Sequence, residues 1–167
     1  MLRSTLLFLL LTLPAMSAET ITGPATVIDG DTIEVQGARV RLFGIDAPEI
    51  DQSCETANGR MYRCGRIAAQ ALTGKVATTP VTCEPRRTRN KDRTVAVCRL
   101  GHEDLSAWLA THGHALADRD QSQAYVSQEG KAWAIRRGLW AGIFTPPSEW
   151  RRASHRAEAA ADRVSTN

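Results

Sequence analysis

Hydrophobic and polar positions alternate in the first half of the chain. In the stretch ATVIDGDTIEVQGARVRLFGI, apolar residues recur at strand spacing and are interrupted by the turn-forming pairs Asp29-Gly30 and Gln36-Gly37. This pattern predicts a strand, a hairpin and a further strand. The segments VTCEP and RTVAVCRL predict two more strands, joined by the polar turn RRTRNKD.

The pattern changes to helical spacing in three later segments. The first two cover residues 64–72 and 105–112, and the third is expected from about 122 to 137. A glycine follows each of them closely, as is common where helices end. Five short strands with helices interposed predict an α+β fold, in which three helices pack on a small, closed or nearly closed barrel.

The two ends of the chain differ from this pattern. Residues 1–18 combine Arg3, the apolar run LLFLLLTL and small residues around Ala18, which is typical of a secretory signal peptide. The run is shorter than the roughly 20 apolar residues of a membrane anchor. We therefore expect a periplasmic or secreted protein without membrane association, made of a domain at 19–150 and a flexible tail at 151–167.

Four cysteines lie in the exported part of the chain. An even number of cysteines in an oxidising compartment favours two disulfides. Cys54 and Cys64 flank a short loop, and Cys83 and Cys98 lie in two predicted strands, so these pairs are the expected bridges. The rival interpretation is a zinc site, which usually contains a closer pair such as C-x-x-C.

Charge alone does not identify a ligand. The formal net charge of +3 is common on solvated surfaces, and the pairs Arg136-Arg137 and Arg151-Arg152 are interpreted as parts of such a surface. Any affinity for phosphate must therefore come from the placement of individual residues.

One group of charged residues is placed unusually. The motif VRLFGIDAPE puts Arg41 inside an apolar strand and follows it with Asp46 and Glu49, while Asp31 ends a nearby turn and Arg93 opens a later strand. Two guanidinium groups can hold the oxygens of a phosphodiester, and a free carboxylate can accept a proton from attacking water. The pattern therefore favours phosphodiester hydrolysis.

A cation bound to these carboxylates would be a hard one. The candidate ligands are oxygens and not clustered histidines or cysteines, which favours calcium in an exported protein, with magnesium and manganese as alternatives. Without a cation, the carboxylates are expected to repel one another.

The sequence resembles the staphylococcal nuclease (thermonuclease) family. The matching stretches are ATVIDGDTIEV, VRLFGIDAPE, the arginine of DRTVAVCRL, and the spacing from LATHGHAL to RRGLW. The resemblance implies a five-stranded OB-fold-like β-barrel with three α-helices, which cleaves DNA or RNA with calcium at the 5' oxygen and leaves 3' phosphates. It also implies these roles: calcium ligation by Asp31, Asp46 and the main-chain carbonyl of Ala47, phosphate binding by Arg41 and Arg93, and action on the attacking water by Glu49.

Two stretches depart from the family pattern. Lys91 and Asp92 stand before Arg93, where relatives commonly have a tyrosine and a glycine, and Lys91 could replace the tyrosine's contact with a terminal phosphate. The segment 118–120, Asp-Arg-Asp, stands where relatives tend to have aromatic residues that border the bound base. Arg119 in that segment is a further candidate for contact with the substrate, while the aspartates and the missing stacking predict weaker nucleotide affinity.

Three function classes remain open at this point. The first is an exported metal-dependent nuclease that acts as a monomer on DNA, RNA or both. The second is a catalytically weak or inactive barrel that binds nucleic acid or a protein partner. The third is a scaffold of the cell envelope, which would have no reason to gain thermal stability from calcium.

Overall fold

The computed structural model describes residues 19–86 and 94–165. The predicted signal peptide and most of the predicted polar turn after residue 85 lie outside these ranges. The strands in the described ranges are β1 (Ile21–Gly23), β2 (Ala25–Val27), β3 (Thr32–Val35), β4 (Ala38–Leu42), β5 (Ile45–Asp46), β6 (Cys54–Thr56), β7 (Met61–Tyr62), β8 (Val81–Pro85), β9 (Thr94–Leu100), β10 (Glu103–Asp104), β11 (Leu116–Ala117) and β12 (Gly142–Ile143). The helices there are α1 (Cys64–Val76), α2 (Leu105–Thr111), α3 (Val126–Ala134) and α4 (Pro147–Ser165), with a 3₁₀ turn at Gly138–Ala141.

The main sheet is a nearly closed barrel. Its strands follow the order β1-β8-β9-β4-β3-β2, and Pro24 alone separates the two edge strands β1 and β2 in the chain. Because proline has no N–H to donate to a ladder, pairing is interrupted at Pro24. β1 and β2 are therefore the two halves of one bent strand, and each half forms one edge of the sheet. The Gln36 side chain donates a 2.7 Å hydrogen bond to the Thr22 carbonyl across the gap between these edges. With β1 and β2 counted together, the expected five-stranded, OB-fold-like α+β barrel is confirmed.

The predicted hairpin is present between β3 and β4. Val35 pairs with Ala38, which leaves a two-residue loop in which Gln36 and Gly37 have φ angles of 53° and 77°. Positive φ at both positions is typical of the turn that matches the twist of paired strands. Strand β4 then pairs in parallel with β9, from Val40 opposite Thr94 to Leu42 opposite Ala96.

Alternation along the strands separates the core from the outer surface of the barrel. In β4, Val40 and Leu42 are completely buried. Arg39, which precedes Val40, and Arg41, which lies between the two apolar residues, point away from the core. Helices α1, α2 and α3 contribute apolar residues to the same core. Its largest fully buried apolar side chains include Ile33, Leu42, Ile45, Leu72, Leu105 and Leu109.

Three helices lie where the sequence predicts them, with different ends. Helix α1 continues past Gly74, where an interior glycine costs only about 1 kcal/mol relative to alanine. Helix α2 begins after Asp104, whose carboxylate accepts a 3.0 Å hydrogen bond from the Ala107 N–H, and ends before Gly113. Helix α3 is shorter than predicted: it begins at Val126 and ends at Ala134, just before Arg136, which has a φ of 50°.

The region predicted as a flexible tail is helical. Helix α4 runs from Pro147 to Ser165, so it crosses residue 150, where the sequence was divided. Proline is favoured in the first turn of a helix, and the segment that follows is rich in alanine, arginine and glutamate, which are strong helix formers. The shortage of apolar residues predicts little packing for this segment, but it does not oppose helix formation. The division of the chain at residue 150 stays a prediction.

Both expected disulfides are present. Cys54 is bonded to Cys64 and Cys83 to Cys98, and the second bridge links residues that face each other across β8 and β9. All four cysteines are therefore in disulfides, so none is available as a zinc ligand and the alternative of a cysteine zinc site is wrong. In the part of the chain that the structure describes, no helix has the length and apolar character needed to span a membrane.

Candidate active site

The candidate site lies where β3, β4 and β5 meet on the barrel surface. Asp31 immediately precedes β3, and Thr32 pairs with Arg41 of β4. The Leu42 N–H donates a 2.8 Å hydrogen bond to the Asp31 carbonyl, which fixes the turn beside β4. Asp46 ends β5 and starts the turn that contains Glu49. Adjacent strands thus bring together residues that lie up to 18 positions apart in the chain.

Arg41 joins two of the carboxylates. Its Nη2 lies 3.0 Å from Asp31 Oδ2 and 2.8 Å from Asp46 Oδ1. The Arg41 Nε is buried and has no hydrogen-bond partner among the described residues. One nitrogen of the guanidinium group therefore holds both aspartates, and part of its donor capacity is unused.

Asp31 is the most deeply buried carboxylate of the site, with a residue exposure of 5 %. Its Oδ1 accepts a 2.9 Å hydrogen bond from the Thr32 hydroxyl, and its Oδ2 accepts one of 3.1 Å from the Ala47 N–H. Burial raises the pKa of Asp31 to about 7, although Arg41 and the Ala47 N–H lower it. Nearby Asp29 and Asp46 raise this pKa further, because each disfavours a second negative charge.

The turn that carries Glu49 is fixed from two sides. Gln52 is completely buried, and its side-chain oxygen accepts a 3.3 Å hydrogen bond from the Glu49 N–H. Its side-chain nitrogen donates a 2.7 Å hydrogen bond to the Thr145 carbonyl, just before α4. On the other side, Gly65 of α1 lies so close that a Cβ there would be 1.7 Å from the Glu49 carbonyl oxygen.

Arg151 of α4 is the site residue that the sequence does not predict. Its Nη1 donates hydrogen bonds of 2.8 Å to Asp46 Oδ1 and 2.7 Å to Glu49 Oε1, and its Nη2 donates one of 3.1 Å to Asp46 Oδ2. Burial alone would lower the pKa of Arg151, but the hydrogen bonds that it donates to both carboxylates raise it above its usual value. Arg151 is thus an ion-paired residue, whereas its neighbour Arg152 is exposed, as expected for a solvated surface.

A cleft of about 490 Å³ opens beside these groups. It is lined by polar and charged residues: Asp29, Asp31, Thr32, Arg39, Arg41, Ala47, Pro48, Glu49, Thr94 and Arg151. A larger groove of about 660 Å³ shares none of these residues and is mainly apolar. The polar cleft is therefore the better candidate for chemistry on a phosphodiester.

The structure brings most of the predicted site residues together. Asp31, Arg41, Asp46, Ala47 and Glu49 share one site, although their individual roles stay predictions. The expected repulsion among the carboxylates is present, since Asp29 and Asp46 both raise the Asp31 pKa, and ion pairs with two arginines offset it.

Three other predicted residues lie elsewhere or outside the described ranges. Arg119 pairs with Glu129 of α3 and does not line the cleft, so its proposed contact with substrate gains no support. Lys91 and Arg93 fall outside the described residues, while the next residue, Thr94, lines the cleft.

The donor atoms suit a hard cation, but their present partners are guanidinium groups. Asp31 and Asp46 offer carboxylate oxygens that converge on one cationic nitrogen of Arg41. Within residues 19–86 and 94–165, no three histidine, cysteine, aspartate or glutamate side chains are arranged to hold a metal ion. The donor type, carboxylate oxygen, is the one that calcium prefers, but both Asp46 oxygens are already hydrogen-bonded to Arg151.

Comparison with known proteins decides the family. Residues 39–142 match the family described as staphylococcal nuclease homologue, a span that covers more than half of the chain and includes Arg41, Asp46 and Glu49. The chain belongs to the staphylococcal nuclease family. In this chain, Asp31 lies before the matched residues 39–142, and α4 lies after them.

Two curated relatives extend the similarity over most of the chain. The succinoglycan biosynthesis protein ExoI of Rhizobium meliloti is 41 % identical in an alignment of 135 residues, and the alignment covers 79 % of this chain and 71 % of that protein. Protein ParB of Escherichia coli is 32 % identical in an alignment of 147 residues, and the alignment covers 77 % of each chain. The first name refers to a biosynthetic process, and the second states no activity.

Proposed function

We propose that this member of the staphylococcal nuclease family is an exported, calcium-dependent nuclease that cleaves DNA, RNA or both and leaves 3' phosphates. The observation that carries the proposal is the convergence of Arg41, Asp31 and Glu49 on one polar cleft. Family membership supports a nuclease-like or nucleic-acid-binding function. The two disulfides support an oxidising compartment.

Asp31, Asp46 and the main-chain carbonyl of Ala47 would hold the cation. When bound, it supplies positive charge close to the phosphate, where negative charge increases as the reaction proceeds. The two aspartates come from different strands that the barrel fixes relative to each other. They are therefore positioned by the fold before any ligand arrives.

Arg41 would bind the phosphate, and Glu49 would accept a proton from the attacking water. The water oxygen forms a bond to phosphorus, the bond to the 5' oxygen breaks, and the leaving 5' oxygen takes up a proton from solvent to become the 5' hydroxyl. A planar guanidinium group donates two parallel hydrogen bonds to phosphate oxygens, which lysine cannot do. Arg93 is proposed as the second phosphate-binding arginine, with Lys91 beside it.

A cleavage assay tests the proposal. The mature, oxidised protein should cut single-stranded DNA or RNA with calcium, and should not cut either substrate with a chelator. Glu49→Gln should lower the rate by about 100-fold or more, because a positioned general base contributes about 10²–10⁴. Arg41→Ala should lower it by a similar factor, because charge stabilisation on the phosphate is lost.

Two surface substitutions provide matched controls. Glu34→Gln changes an exposed carboxylate on β3, and Arg66→Ala changes an exposed arginine on α1. Both variants should cut at the wild-type rate. Calcium-independent cleavage, or full activity of Glu49→Gln, would contradict the assigned roles.

A catalytically weak binding module is the second candidate. The observation that favours it is the engagement of Glu49 and Asp46 by Arg151, which leaves the proposed base ion-paired. Such a protein would bind single-stranded nucleic acid in a salt-dependent way and cleave neither DNA nor RNA.

A further inference from the structure

Arg151 contacts two residues whose carboxylates must be free of other partners for the proposed nuclease reaction. Asp46 is a proposed cation ligand and Glu49 is the proposed base, and one guanidinium group binds both at 2.7–3.1 Å. The Arg41–Asp46 hydrogen bond of 2.8 Å uses the same Oδ1 atom. Arg151 therefore adds positive charge where the proposed cation would add it.

Arg151 is carried by an element that is weakly attached to the barrel. Pro147 at the start of α4 is buried, and Ser148, Trp150, Arg151 and Ser154 are partly buried. From Arg152 to Arg163, every residue except Ser154 is exposed. After Ser154, as far as Arg163, the helix buries little apolar surface, so its contacts with the barrel through buried groups are concentrated in its first two turns, which carry Pro147, Trp150 and the ion pairs of Arg151.

The start of the helix is attached independently of Arg151. Gln52 donates to the Thr145 carbonyl two residues before α4, and that bond does not involve Asp46 or the Glu49 side chain. The helix can therefore release its arginine while the turn that carries Glu49 keeps its position. This segment also follows the span matched by the nuclease family, which ends at residue 142.

We propose that α4 is an autoinhibitory latch. In the closed latch, Arg151 competes with the divalent cation for Asp46 and holds the Glu49 carboxylate in an ion pair. The proposal rests on the function proposed above and deepens it, because it concerns the regulation of the same site. The latch sets the calcium concentration at which the site opens. A state with Arg151 bound cannot take the cation, so the apparent calcium affinity is the affinity of the open state multiplied by the fraction of molecules in which the latch is open.

Calcium titration of the metal-free full chain tests the latch without any substrate. Arg151→Ala and Arg151→Gln should each bind calcium about tenfold tighter than the wild type by calorimetry, which corresponds to about 1.4 kcal/mol. Arg152→Ala, a change at the exposed neighbouring arginine, should match the wild type. Unchanged or weaker binding in both Arg151 variants overturns the latch.

Hydrogen exchange of the unaltered protein gives a second test. Calcium should release α4 and speed the exchange of amides in residues 148–154, relative to the same protein with a chelator. Slower or unchanged exchange overturns the proposal. Because neither test measures cleavage, the two proposals fail separately: tighter calcium binding without any cleavage supports the latch and contradicts the nuclease.

Discussion

Asp31 illustrates the electrostatic demands of this site at the scale of a residue. Its carboxylate is almost completely buried, and burial raises its pKa to about 7 from an ordinary value of 3.8. Arg41 offsets part of this effect, but the same guanidinium nitrogen also forms an ion pair with Asp46. In the metal-free protein, a charged Asp31 is therefore less stable than the same group in the unfolded chain.

This shift predicts how stability depends on pH. As pH rises from about 4 to about 7, the unfolded chain loses the Asp31 proton while the folded chain keeps it, so the group's contribution to folding is lost. Asp31→Asn cannot titrate, so the stability of the wild type should fall relative to this variant over the same range. Urea unfolding with a chelator at several pH values measures this difference.

A substitution at a surface carboxylate is the control for that measurement. Glu34→Gln lies on the same strand with its side chain exposed and should not reproduce the Asp31 pattern. A wild type that gains stability relative to Asp31→Asn as pH rises towards 7 would contradict the argument.

The sequence is informative about some site residues and silent about others. Asp31, Arg41, Asp46 and Glu49 lie within one stretch of strands and turns, so local alternation already places them near each other. Arg151 lies 105 positions from Asp46, and nothing local distinguishes it from exposed Arg152. Contacts over such distances depend on helix docking, which periodicity does not reveal.

At the scale of an element, α1 determines how closely the Glu49 turn can approach the barrel. Gly65 follows Cys64, the first residue of the helix, and lies against the Glu49 main chain. Its N–H also donates a 3.4 Å hydrogen bond to the Gln52 carbonyl. Any side chain at this position must displace the turn that holds the proposed base.

Gly65→Ala and Gly74→Ala form a matched pair on this helix. A Cβ at Gly65 would lie 1.7 Å from the Glu49 carbonyl oxygen, so this variant should lose about 1–3 kcal/mol or more of stability and most of its activity. Gly74 has nothing within 4 Å, so alanine there should stabilise the protein by about 0.5–1 kcal/mol. Urea unfolding and the cleavage assay compare the two, and equal effects would contradict the close approach.

Elements with strong local signals are predictable, while their ends depend on tertiary contacts. The hairpin at Gln36-Gly37 has a specific backbone requirement that its sequence satisfies. Helix α4 shows the opposite case, because its sequence has high helix propensity but few apolar residues. A prediction based on burial alone therefore missed it.

At the scale of the whole molecule, the two disulfides stabilise different parts. Cys83–Cys98 lies inside the barrel, across two paired strands, and both residues are completely buried. Cys54–Cys64 instead ties β6 to the first residue of α1, next to Gly65. The first bridge supports the barrel, and the second supports the region around the Glu49 turn.

Removal of each bridge should therefore have a different effect. The variant Cys83→Ala with Cys98→Ala should lose about 3 kcal/mol of stability, as expected for a loop of this length, and keep its activity at low temperature. The variant Cys54→Ala with Cys64→Ala should lose both stability and activity. Denaturant unfolding, and cleavage at a low temperature at which the unfolding curves show both variants folded, distinguish these outcomes, and equal activity of the two would contradict the division of roles.

The bend at Pro24 has a consequence for how the chain folds. β1 lies at one edge of the sheet and pairs with β8, which comes about 60 residues later in the chain. It can therefore pair only after β8 has been synthesised. Strand β4 likewise waits for β9. The pairings are of high contact order, so we expect closure of the barrel to be a late and slow step of folding. A chain that passes through a narrow channel with its N-terminus first would have no complete barrel until Leu100 had emerged.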